Sequence, residues 1–360
     1  MLNELTTAPQ NIVVVGDAFV SPDTMEAAVR ASKINIGKIS AVYWGTPDKS
    51  DFARRQLNIE RHGSEAEAYA EDLEAALTDC TVLVTHFNPV PAGVFEKAPC
   101  LKAVLTCRGG LEHINVEAAS AREIPVVNVI RNAIPVAEFA LGMIISLTRN
   151  ISTSHHLLID GKWEKVFPNT DFTSTLSNLT VGLIGLGNIG IELAVRLKAL
   201  GVPMIAFDEY TSKERLARNG LENIRMVDSM EALFSQADII SLHLRLTPET
   251  EGLINKKYFS LMKPTAYFIN SSRGGLVNQE DLIQALRAHS IAGAALDVFD
   301  KEPLTEDHDF RGLDNVLITP HIAGATVDAI PMAPYLLMRE VDKIIEKDLT
   351  ERIVNYNKLR

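Results

Sequence analysis

The stretch VGLIGLGNIG, residues 181–190, places three glycines in the spacing GxGxxG between an apolar run and a helical segment predicted at 192–200. In a strand–turn–helix unit of this kind, Gly185 permits the tight turn and Gly187 lets an anion approach the backbone. Gly190 lets the helix lie close to the strand. The stretch therefore predicts a parallel α/β sheet with a phosphate-binding turn.

The first amides of the predicted helix, those of Asn188 and Ile189, would face the bound phosphate. Asp208 ends the next predicted strand, 18 residues after Gly190. A carboxylate there accepts hydrogen bonds from ribose hydroxyls and repels a 2′-phosphate, so the pattern predicts NAD rather than NADP. A methyltransferase can share a glycine-rich turn and an acidic strand end, but it would have no task for the acid and base groups described below.

Short β-branched runs alternate with helical stretches along nearly the whole chain, which is typical of parallel sheets covered by helices on both faces. We predict two Rossmann-like, doubly wound parallel-sheet domains with a ligand-binding cleft between them. The predicted strands of the first sheet are 12–15, 39–43, 82–85, 103–106 and 126–129, with helices near 23–33 and 64–77. Those of the second sheet are 180–184, 203–207, 238–242, 266–270, 293–297 and 316–319, about six strands. A connecting helix is predicted at 134–158 and a last helix at 327–347.

Length and composition restrict the class of protein. The 360 residues, 46% hydrophobic and 22% charged, are typical of a globular chain of two domains. A net charge of −11 argues against nucleic acid as a partner. The three cysteines (Cys80, Cys100, Cys107) lack metal-ligand or disulfide spacing, so we expect a cytoplasmic location and no metal site. The first ten residues, MLNELTTAPQ, show neither the basic nor the apolar stretch of a leader, and no apolar run reaches ~18 residues, so we expect no targeting segment and no membrane partner.

Three polar residues of the second half follow predicted strands: Arg273, Glu302 and His321. The carboxyl ends of parallel strands meet at one sheet edge, so we expect these side chains to lie close together. Singly, they have ordinary explanations: a salt bridge, a solvated loop charge, and a capping or buried histidine. Together with a dinucleotide turn, they supply an anion clamp, an orienting carboxylate and a proton donor. Reduction of a 2-keto acid needs these three groups.

These motifs resemble those of the D-isomer-specific 2-hydroxyacid dehydrogenase family, which includes phosphoglycerate, glycerate and D-lactate dehydrogenases. The resemblance covers essentially the whole chain and rests on residues 182–190, 270–274 (NSSRG), 296–299 (LDVF), 302–303 (EP) and 319–321 (TPH). It implies an NAD-dependent oxidoreductase that interconverts a D-2-hydroxy acid and its 2-keto acid, possibly in the manner of phosphoglycerate dehydrogenase.

The resemblance also implies a role for each residue. Arg273 would bind the carboxylate and polarise the carbonyl, His321 would be the general acid and base, and Glu302 its partner. Cofactor contacts would come from Gly185, Gly187, Asn188, Ile189, Gly190, Asp208, His243, Arg245, Ser271, Ser272, Asp297 (at the nicotinamide carboxamide) and Gly324. Substrate contacts would come from Gly109 and Gly110, in the loop at 106–115, and from Asn132.

The family's architecture implies a substrate domain at 1–130 and 323–360, an NAD-binding domain at 131–322, and a homodimer paired through the helix at 134–158. Only a short tail follows the last helix, so we expect no C-terminal regulatory domain. Formate dehydrogenases of this type lack the glutamate present here as Glu302, which argues against formate oxidation.

Two departures leave the substrate open. Glu112 and Asn115 stand where many members carry other polar residues, and Arg245 follows His243-Leu244 where a proline is common. Arg245 could stack on the adenine ring or be a solvated loop residue. A second hypothesis for the whole chain is a non-catalytic, NAD-sensing protein of the corepressor type, but the sequence offers no disordered arms and keeps all three catalytic candidates.

Overall fold

The structure, a computed structural model, describes residues 2–347 and 349–359. The chain forms two compact units, one comprising Met1–Arg131 with Thr326–Arg360 and the other Asn132–Ala325. The boundaries expected from the sequence lie one residue earlier at the first division and three residues earlier at the second.

The first unit is a five-stranded parallel sheet in the order β2-β1-β3-β4-β5. Its strands are β1 Gln10–Gly16, β2 Ile36–Tyr43, β3 Val82–Thr85, β4 Ala103–Thr106 and β5 Val126–Asn128. Its first helices are α1 Glu4–Thr7, α2 Pro22–Arg30, α3 Lys49–His62, α4 Leu73–Leu77, α5 Ala92–Lys97 and α6 Val116–Ala121. The continuous β-branched run of β1 suits its place inside the sheet, where both faces are covered.

The second unit is a seven-stranded parallel sheet in the order β12-β11-β10-β9-β6-β7-β8. Its strands are β6 Val181–Ile184, β7 Met204–Phe207, β8 Arg225–Met226, β9 Ile239–Leu242, β10 Tyr267–Asn270, β11 Gly293–Leu296 and β12 Val316–Ile318. Its helices are α7 Ala133–Thr148, α8 Ile151–Ile159, α9 Asn188–Ala199, α10 Lys213–Arg218, α11 Met230–Gln236, α12 Lys256–Phe259 and α13 Gln279–Arg287. The sequence analysis predicted about six strands in this sheet and did not include the short edge strand β8.

The strand order of the second unit reverses at β6, which pairs with β7 on one side and β9 on the other. This is the topological switch point of a Rossmann sheet, where ligands bind beyond the carboxyl ends of the strands. The glycine-rich turn leaves β6 at this point. The predicted fold class, two doubly wound parallel-sheet units, is confirmed.

The last helix, α14 Ala333–Lys347, belongs to the first unit. Its apolar face (Leu337, Met338, Val341 and Ile344) is buried in the same core as Met25 and Val29 of α2. The predicted start at residue 327 is wrong: Val327 is almost fully exposed, and the helix begins six residues later.

The predicted helix at 134–158 is broken, because Asn150 adopts a left-handed conformation (φ 54°) between α7 and α8. Asn150 Nδ2 also donates to Asn169 Oδ1 at 2.8 Å, which fixes the bend. Asparagine tolerates this conformation better than most residues do. The apolar periodicity continues across the break and therefore gave no sign of it.

The predicted helix at 64–77 is also wrong: helix α3 lies earlier, and only α4 falls within the predicted range. Asp48 caps α3 by accepting from Ser50 N at 2.9 Å, and Gly63 (φ 84°) ends it. Phe52 and Ile59, seven residues apart, bury its apolar side. The aspartate before and the glycine after were the signals for this helix.

Among the described residues, no single helix has the length and apolar composition of a membrane span. The bent pair α7 and α8, whose axes differ by 64°, passes that test only when the two are taken together.

Candidate active site

The glycine-rich turn joins β6 to α9. Gly185 has φ 91°, and a Cβ there would lie 2.6 Å from the His243 carbonyl oxygen; a Cβ on Gly190 would collide with the Gly185 carbonyl oxygen. Gly187, the N-cap of α9, has no atom within 4 Å of where its Cβ would be, and it offers no side chain to the first helical amides. Glycine at this position therefore brings no side chain between an anion and the start of α9. The turn fits the pyrophosphate of a dinucleotide.

Asp208 lies beside this turn, directly after β7. Its Oδ2 accepts from Leu186 N at 2.6 Å, and its Oδ1 accepts from Tyr210 N at 2.7 Å and Thr211 N at 2.6 Å. These three donors hold the carboxylate at the end of the strand in one orientation. A half-buried, fixed acceptor at this place fits a ribose.

Arg215, on α10, is a residue that sequence reasoning missed. Its Nη2 lies 3.3 Å from Asn188 Oδ1, so a cation from the following βα segment reaches the phosphate-binding turn. Nothing in the local sequence signals this contact, since the two residues are 27 positions apart.

His243 and Arg245 follow β9. The His243 Nε2 lies 2.9 Å from Ser241 Oγ, Nδ1 has no partner among the described residues, and burial lowers the pKa of the ring to about 4. This imidazole is therefore neutral. The Arg245 side chain is exposed, and its backbone carbonyl accepts from Thr250 Oγ1 at 2.7 Å. The predicted cofactor contacts of both residues stay predictions.

His321 and Glu302 form the centre of the site. His321 Nδ1 lies 2.6 Å from Glu302 Oε2, and Glu302 Oε1 accepts from Phe299 N at 2.9 Å. Burial raises the pKa of Glu302, but the hydrogen bonds from His321 and Phe299 and the nearby positive charge of Arg273 outweigh it, so the pKa lies below its usual value. Because an ionised carboxylate can only accept, Nδ1 donates to it. Nε2 is the ring nitrogen that this hydrogen bond leaves for proton exchange with a ligand.

The loop that carries His321 is anchored by Asp297, which is fully buried at the end of β11. Asp297 Oδ1 accepts from Thr319 Oγ1 at 2.6 Å and Ile322 N at 3.0 Å, while Oδ2 accepts from Ala323 N at 2.8 Å. His321 itself has φ 54°, a conformation that is uncommon outside glycine and that these contacts stabilise. Thr319 lies in the TPH motif at 319–321, but no role was predicted for it. The predicted nicotinamide contact of Asp297 stays a prediction.

Arg273 follows β10 and is exposed. Its Nη1 donates to Ser272 O at 2.7 Å, and Asn270 Nδ2 donates to Arg273 O at 3.0 Å, so backbone and side chain are both held. Ser272 Oγ donates to Leu242 O at 2.6 Å, tying this turn to β9. The buried Ser271 Oγ has no partner among the described residues. The positive charge of Arg273 contributes to the lowered pKa of Glu302.

A cavity of about 540 Å³ lies against the histidine–glutamate pair, within the second unit. Its lining is otherwise mainly apolar: Phe299, Pro303, Leu304, Ile318, Thr319 and Pro320 surround Glu302 and His321. Gly324 and Asn132 adjoin each other in the same unit, with Asn132 Nδ2 3.9 Å from where a Gly324 Cβ would be.

Gly109 and Gly110 lie in the first unit, after β4. The carbonyl oxygen of Gly109 accepts from Asn128 Nδ2 at 3.0 Å, which links the loop to β5. A Cβ on Gly110 would collide with the carboxylate of Glu112. The predicted substrate contacts of both glycines stay predictions. In the part of the chain that is described, no three His, Cys, Asp or Glu side chains are grouped to hold a metal ion.

Known proteins place this chain in a family. The family model "D-isomer specific 2-hydroxyacid dehydrogenase, NAD binding domain" matches residues 141–323. The glyoxylate reductase of Thermofilum pendens is 36% identical over 76% of this chain and 80% of its own length. The hydroxypyruvate reductase of Blautia hydrogenotrophica is 34% identical over 71% of this chain and 79% of its own.

The D-3-phosphoglycerate dehydrogenase of Methanocaldococcus jannaschii is 37% identical over 79% of this chain. The match covers 53% of that relative, so the chain spans about half its length. Among solved structures, the D-isomer specific 2-hydroxyacid dehydrogenase of Lactobacillus delbrueckii, in its NAD-complexed form, has a TM-score of 0.68 and 24% identity, covering 95% of this chain and 100% of that one. This structural similarity supports the assignment of the fold as two Rossmann-like units.

The chain therefore belongs to the D-isomer specific 2-hydroxyacid dehydrogenase family. It is an NAD-dependent oxidoreductase of the class that acts on the CH–OH group of 2-hydroxy acids. The predictions of family, cofactor and enzyme class are confirmed, and none of these relatives supports the corepressor hypothesis.

Proposed function

We propose that the chain interconverts a D-2-hydroxy acid and its 2-keto acid with His321 as acid–base group, Glu302 as its partner and Arg273 as the carboxylate-binding residue. The observation that carries this proposal is the 2.6 Å hydrogen bond between His321 Nδ1 and Glu302 Oε2, made by an imidazole whose side chain is 48% exposed. When bound, the nicotinamide supplies the hydride for reduction and accepts it in oxidation.

The proton moves through Nε2 of His321. In reduction, this nitrogen donates a proton to the carbonyl oxygen; in oxidation, it takes the proton from the hydroxyl. The negative charge of Glu302 stabilises the imidazolium and fixes its tautomer. The Asp297 contacts that hold residues 319–323 support a defined position for the ring.

Arg273 binds the substrate carboxylate, and its charge polarises the neighbouring carbonyl. The hydrogen bond from Nη1 to Ser272 O supports this role, since it holds one nitrogen and leaves the rest of the fork open. The amides of Gly109 and Gly110 and the side chain of Asn132 complete the proposed substrate contacts.

For the cofactor, we propose that Gly185, Gly187 and Gly190 with the amides of Asn188 and Ile189 hold the pyrophosphate. Asp208 accepts from the adenosine ribose and excludes a 2′-phosphate. The remaining cofactor contacts that we propose are those of His243, Arg245, Ser271, Ser272, Asp297 and Gly324. Asn132–Ala325 would serve as the NAD-binding domain, and the other unit as the substrate domain.

We also propose that the chain is a homodimer in a reducing cytoplasm. In this single chain, α8 has no buried residue, and Ile159, Trp163 and Val166 are each about three-quarters exposed. Apolar surface of this extent supports association with a second copy. The cysteines are free, which agrees with a reducing compartment. Light scattering should give a molar mass of two chains for the wild type. The Ile159→Glu variant should have the mass of a single chain.

The test of the reaction is a screen of 2-keto acids, from glyoxylate to phosphorylated and sugar-derived acids, with NADH and separately with NADPH. We expect NADH-dependent reduction of at least one acid to the D-2-hydroxy acid. Failure of every acid would overturn the proposed reaction. A preference for NADPH would overturn the role of Asp208.

A further inference from the structure

The guanidinium of Arg215 lies at the start of helix α9, next to the glycine-rich turn of the second unit. Arg215 Nη2 donates to Asn188 Oδ1 at 3.3 Å, and Asn188 is the first residue of α9. The peptide dipoles of a helix give its amino end a partial positive charge, which stabilises anions and repels cations. Arg215 therefore brings a positive charge to the end of the helix that favours it least.

In the part of the chain that the structure describes, no carboxylate pairs with this guanidinium. Asn188 Oδ1 is its one acceptor among the described residues, and no described carboxylate oxygen lies within 4 Å of it. The first turn of α9 has no acidic residue, and its N-cap, Gly187, has no capping side chain. The carboxylate of Asp208 already accepts from three backbone amides. Two positive groups, a helix end and a guanidinium, thus lie side by side.

The backbone of Arg215 is held in a fixed place relative to α9. Ser212 Oγ, on the N-cap of α10, accepts from Arg215 N at 3.2 Å, and Asn219 Nδ2 donates to Arg215 O at 2.8 Å. The next residue, Leu216, is buried in the same core as Ile191 of α9. The Arg215 side chain therefore extends from a firm base toward the turn.

The ordinary explanation for Arg215 is that a cation suits the last turn of α10. This accounts for an arginine on α10, but it does not account for a half-buried side chain that reaches the amino end of another helix. An anion bound between the guanidinium and α9 would account for both.

We propose that Arg215 binds the pyrophosphate of NAD, as a charged residue of the cofactor site in addition to the glycine-rich turn. This inference rests on the proposed function, which places the pyrophosphate at residues 185–190. The pyrophosphate is a dianion, whereas the amides of Asn188 and Ile189 carry only partial positive charge. The guanidinium supplies a full charge, and its hydrogen bond to Asn188 keeps it beside those amides.

Calorimetric titration with NADH tests this role, with Lys213→Met on the same helix as the matched control. Lys213 is exposed and carries the same charge, but two positions along a helix it does not face the same side as Arg215. Arg215→Met should weaken NADH binding ~5- to 50-fold, and Lys213→Met less than ~2-fold. Unchanged NADH affinity in Arg215→Met would overturn the proposal.

Salt and a conservative variant separate charge from shape. Because salt screens charges, NADH affinity of the wild type should fall more steeply between ~50 and 500 mM NaCl than that of Arg215→Met. Arg215→Lys keeps the charge and should recover most of the affinity and of the salt dependence. Equal losses in both variants with unchanged salt dependence would assign Arg215 to the adenine ring or to the shape of the turn, against the proposal. A loss confined to NADPH would assign it to a 2′-phosphate and would also overturn the proposal.

The protein without cofactor gives a further readout. Arg215→Met removes a cation from the amino end of α9, so its Tm should equal or exceed that of the wild type. NADH should then raise the Tm of the wild type more than that of the variant. A Tm of the free variant lowered by more than ~3 °C would show that the contact with Asn188 serves the fold instead.

A change at Gly187 tells a failure of this proposal from a failure of the proposed turn. No atom lies within 4 Å of where a Gly187 Cβ would be, so Gly187→Ala fits the free protein, but its methyl group would lie where the pyrophosphate approaches. If Gly187→Ala weakens NADH binding and Arg215→Met does not, the turn stands and Arg215 has no part in it. If neither variant weakens NADH binding, the proposed placement of the pyrophosphate fails as well.

Discussion

Each of the two sheets carries a histidine–carboxylate pair at its carboxyl edge, and the two pairs differ mainly in burial. His321 and Glu302 are 2.6 Å apart with side chains 48% and 33% exposed, whereas His86 and Asp17 are 2.7 Å apart and each 1% exposed. The hydrogen bonds have nearly the same length. Exposure decides what each imidazole can do: the first can pass a proton to a ligand, and the second is held neutral inside the protein.

The partners on the second nitrogen differ as well. His86 Nε2 accepts from Arg131 Nη1, while His321 Nε2 has no hydrogen-bond partner among the described residues. We propose that the pair acts as an acid–base device where one imidazole nitrogen is open, whereas it supports a guanidinium where both nitrogens are used. Each of the following changes tests this distinction.

The largest effect should come from His321→Ala. Loss of the proton donor should lower kcat ~10²- to 10⁴-fold on the accepted keto acid, with NADH affinity little changed. Steady-state kinetics and NADH titration check this, with the exposed His62→Ala on α3 as control. A kcat near that of the wild type would remove His321 from the mechanism.

Asp17→Asn should act on stability instead. An amide in place of Oδ2 cannot accept from His86 Nδ1, so the free energy of unfolding should fall by about 1.5–3 kcal/mol. Denaturant unfolding measures this loss, and Asp23→Asn, at an exposed position in the first turn of α2, is the control. A loss in kcat as large as that of His321→Ala would erase the distinction between the two pairs.

Stability should fall below pH 6.5 because the buried histidines are neutral. Burial lowers the pKa of His86 and His113, and that of His243 to about 4, from an ordinary value of 6.5. Between the lowered pKa of each folded ring and the ordinary value of 6.5, the unfolded chain binds more protons than the folded one. The free energy of unfolding should therefore fall by up to ~1.4 kcal/mol per pH unit for each ring as the pH decreases. Urea unfolding at pH 7, 6 and 5 tests this. Equal stability at pH 7 and pH 5 would contradict the neutral assignment.

The smallest effect should come from Arg245→Ala. The guanidinium of this arginine is exposed, so its proposed contact with the cofactor would stay largely solvated, and we expect NADH affinity to weaken by less than ~5-fold. Calorimetric titration measures it. A loss near 30-fold would instead support stacking of Arg245 on the adenine ring.

The sequence predicted what lies in continuous motifs. The turn at 181–190 and the candidate residues Arg273, Glu302 and His321 could be predicted because each follows a recognisable apolar strand. The break at Asn150 could not, since it depends on a side-chain contact with Asn169, 19 residues away.

The histidine–carboxylate pair of the first sheet, His86 and Asp17, was not predicted for a related reason. Asp17 and His86 are 69 residues apart, and only the strand order of the first sheet brings them together. His86 follows the buried strand β3 much as His321 follows β12, and that was a usable signal. The position of His86 alone did not predict a site, because no glycine-rich strand-to-helix turn accompanies it in the sequence of the first unit.

The most direct test of the central claim is transfer of label from NADH deuterated at C4 of the nicotinamide, in one stereochemical form and then the other, to the accepted 2-keto acid. We predict that one form gives the D-2-hydroxy acid with deuterium at C2, and that His321→Ala forms it at least ~100-fold more slowly. A product of L configuration, deuterium absent from C2 with both forms, or an undiminished rate in the variant would contradict the account.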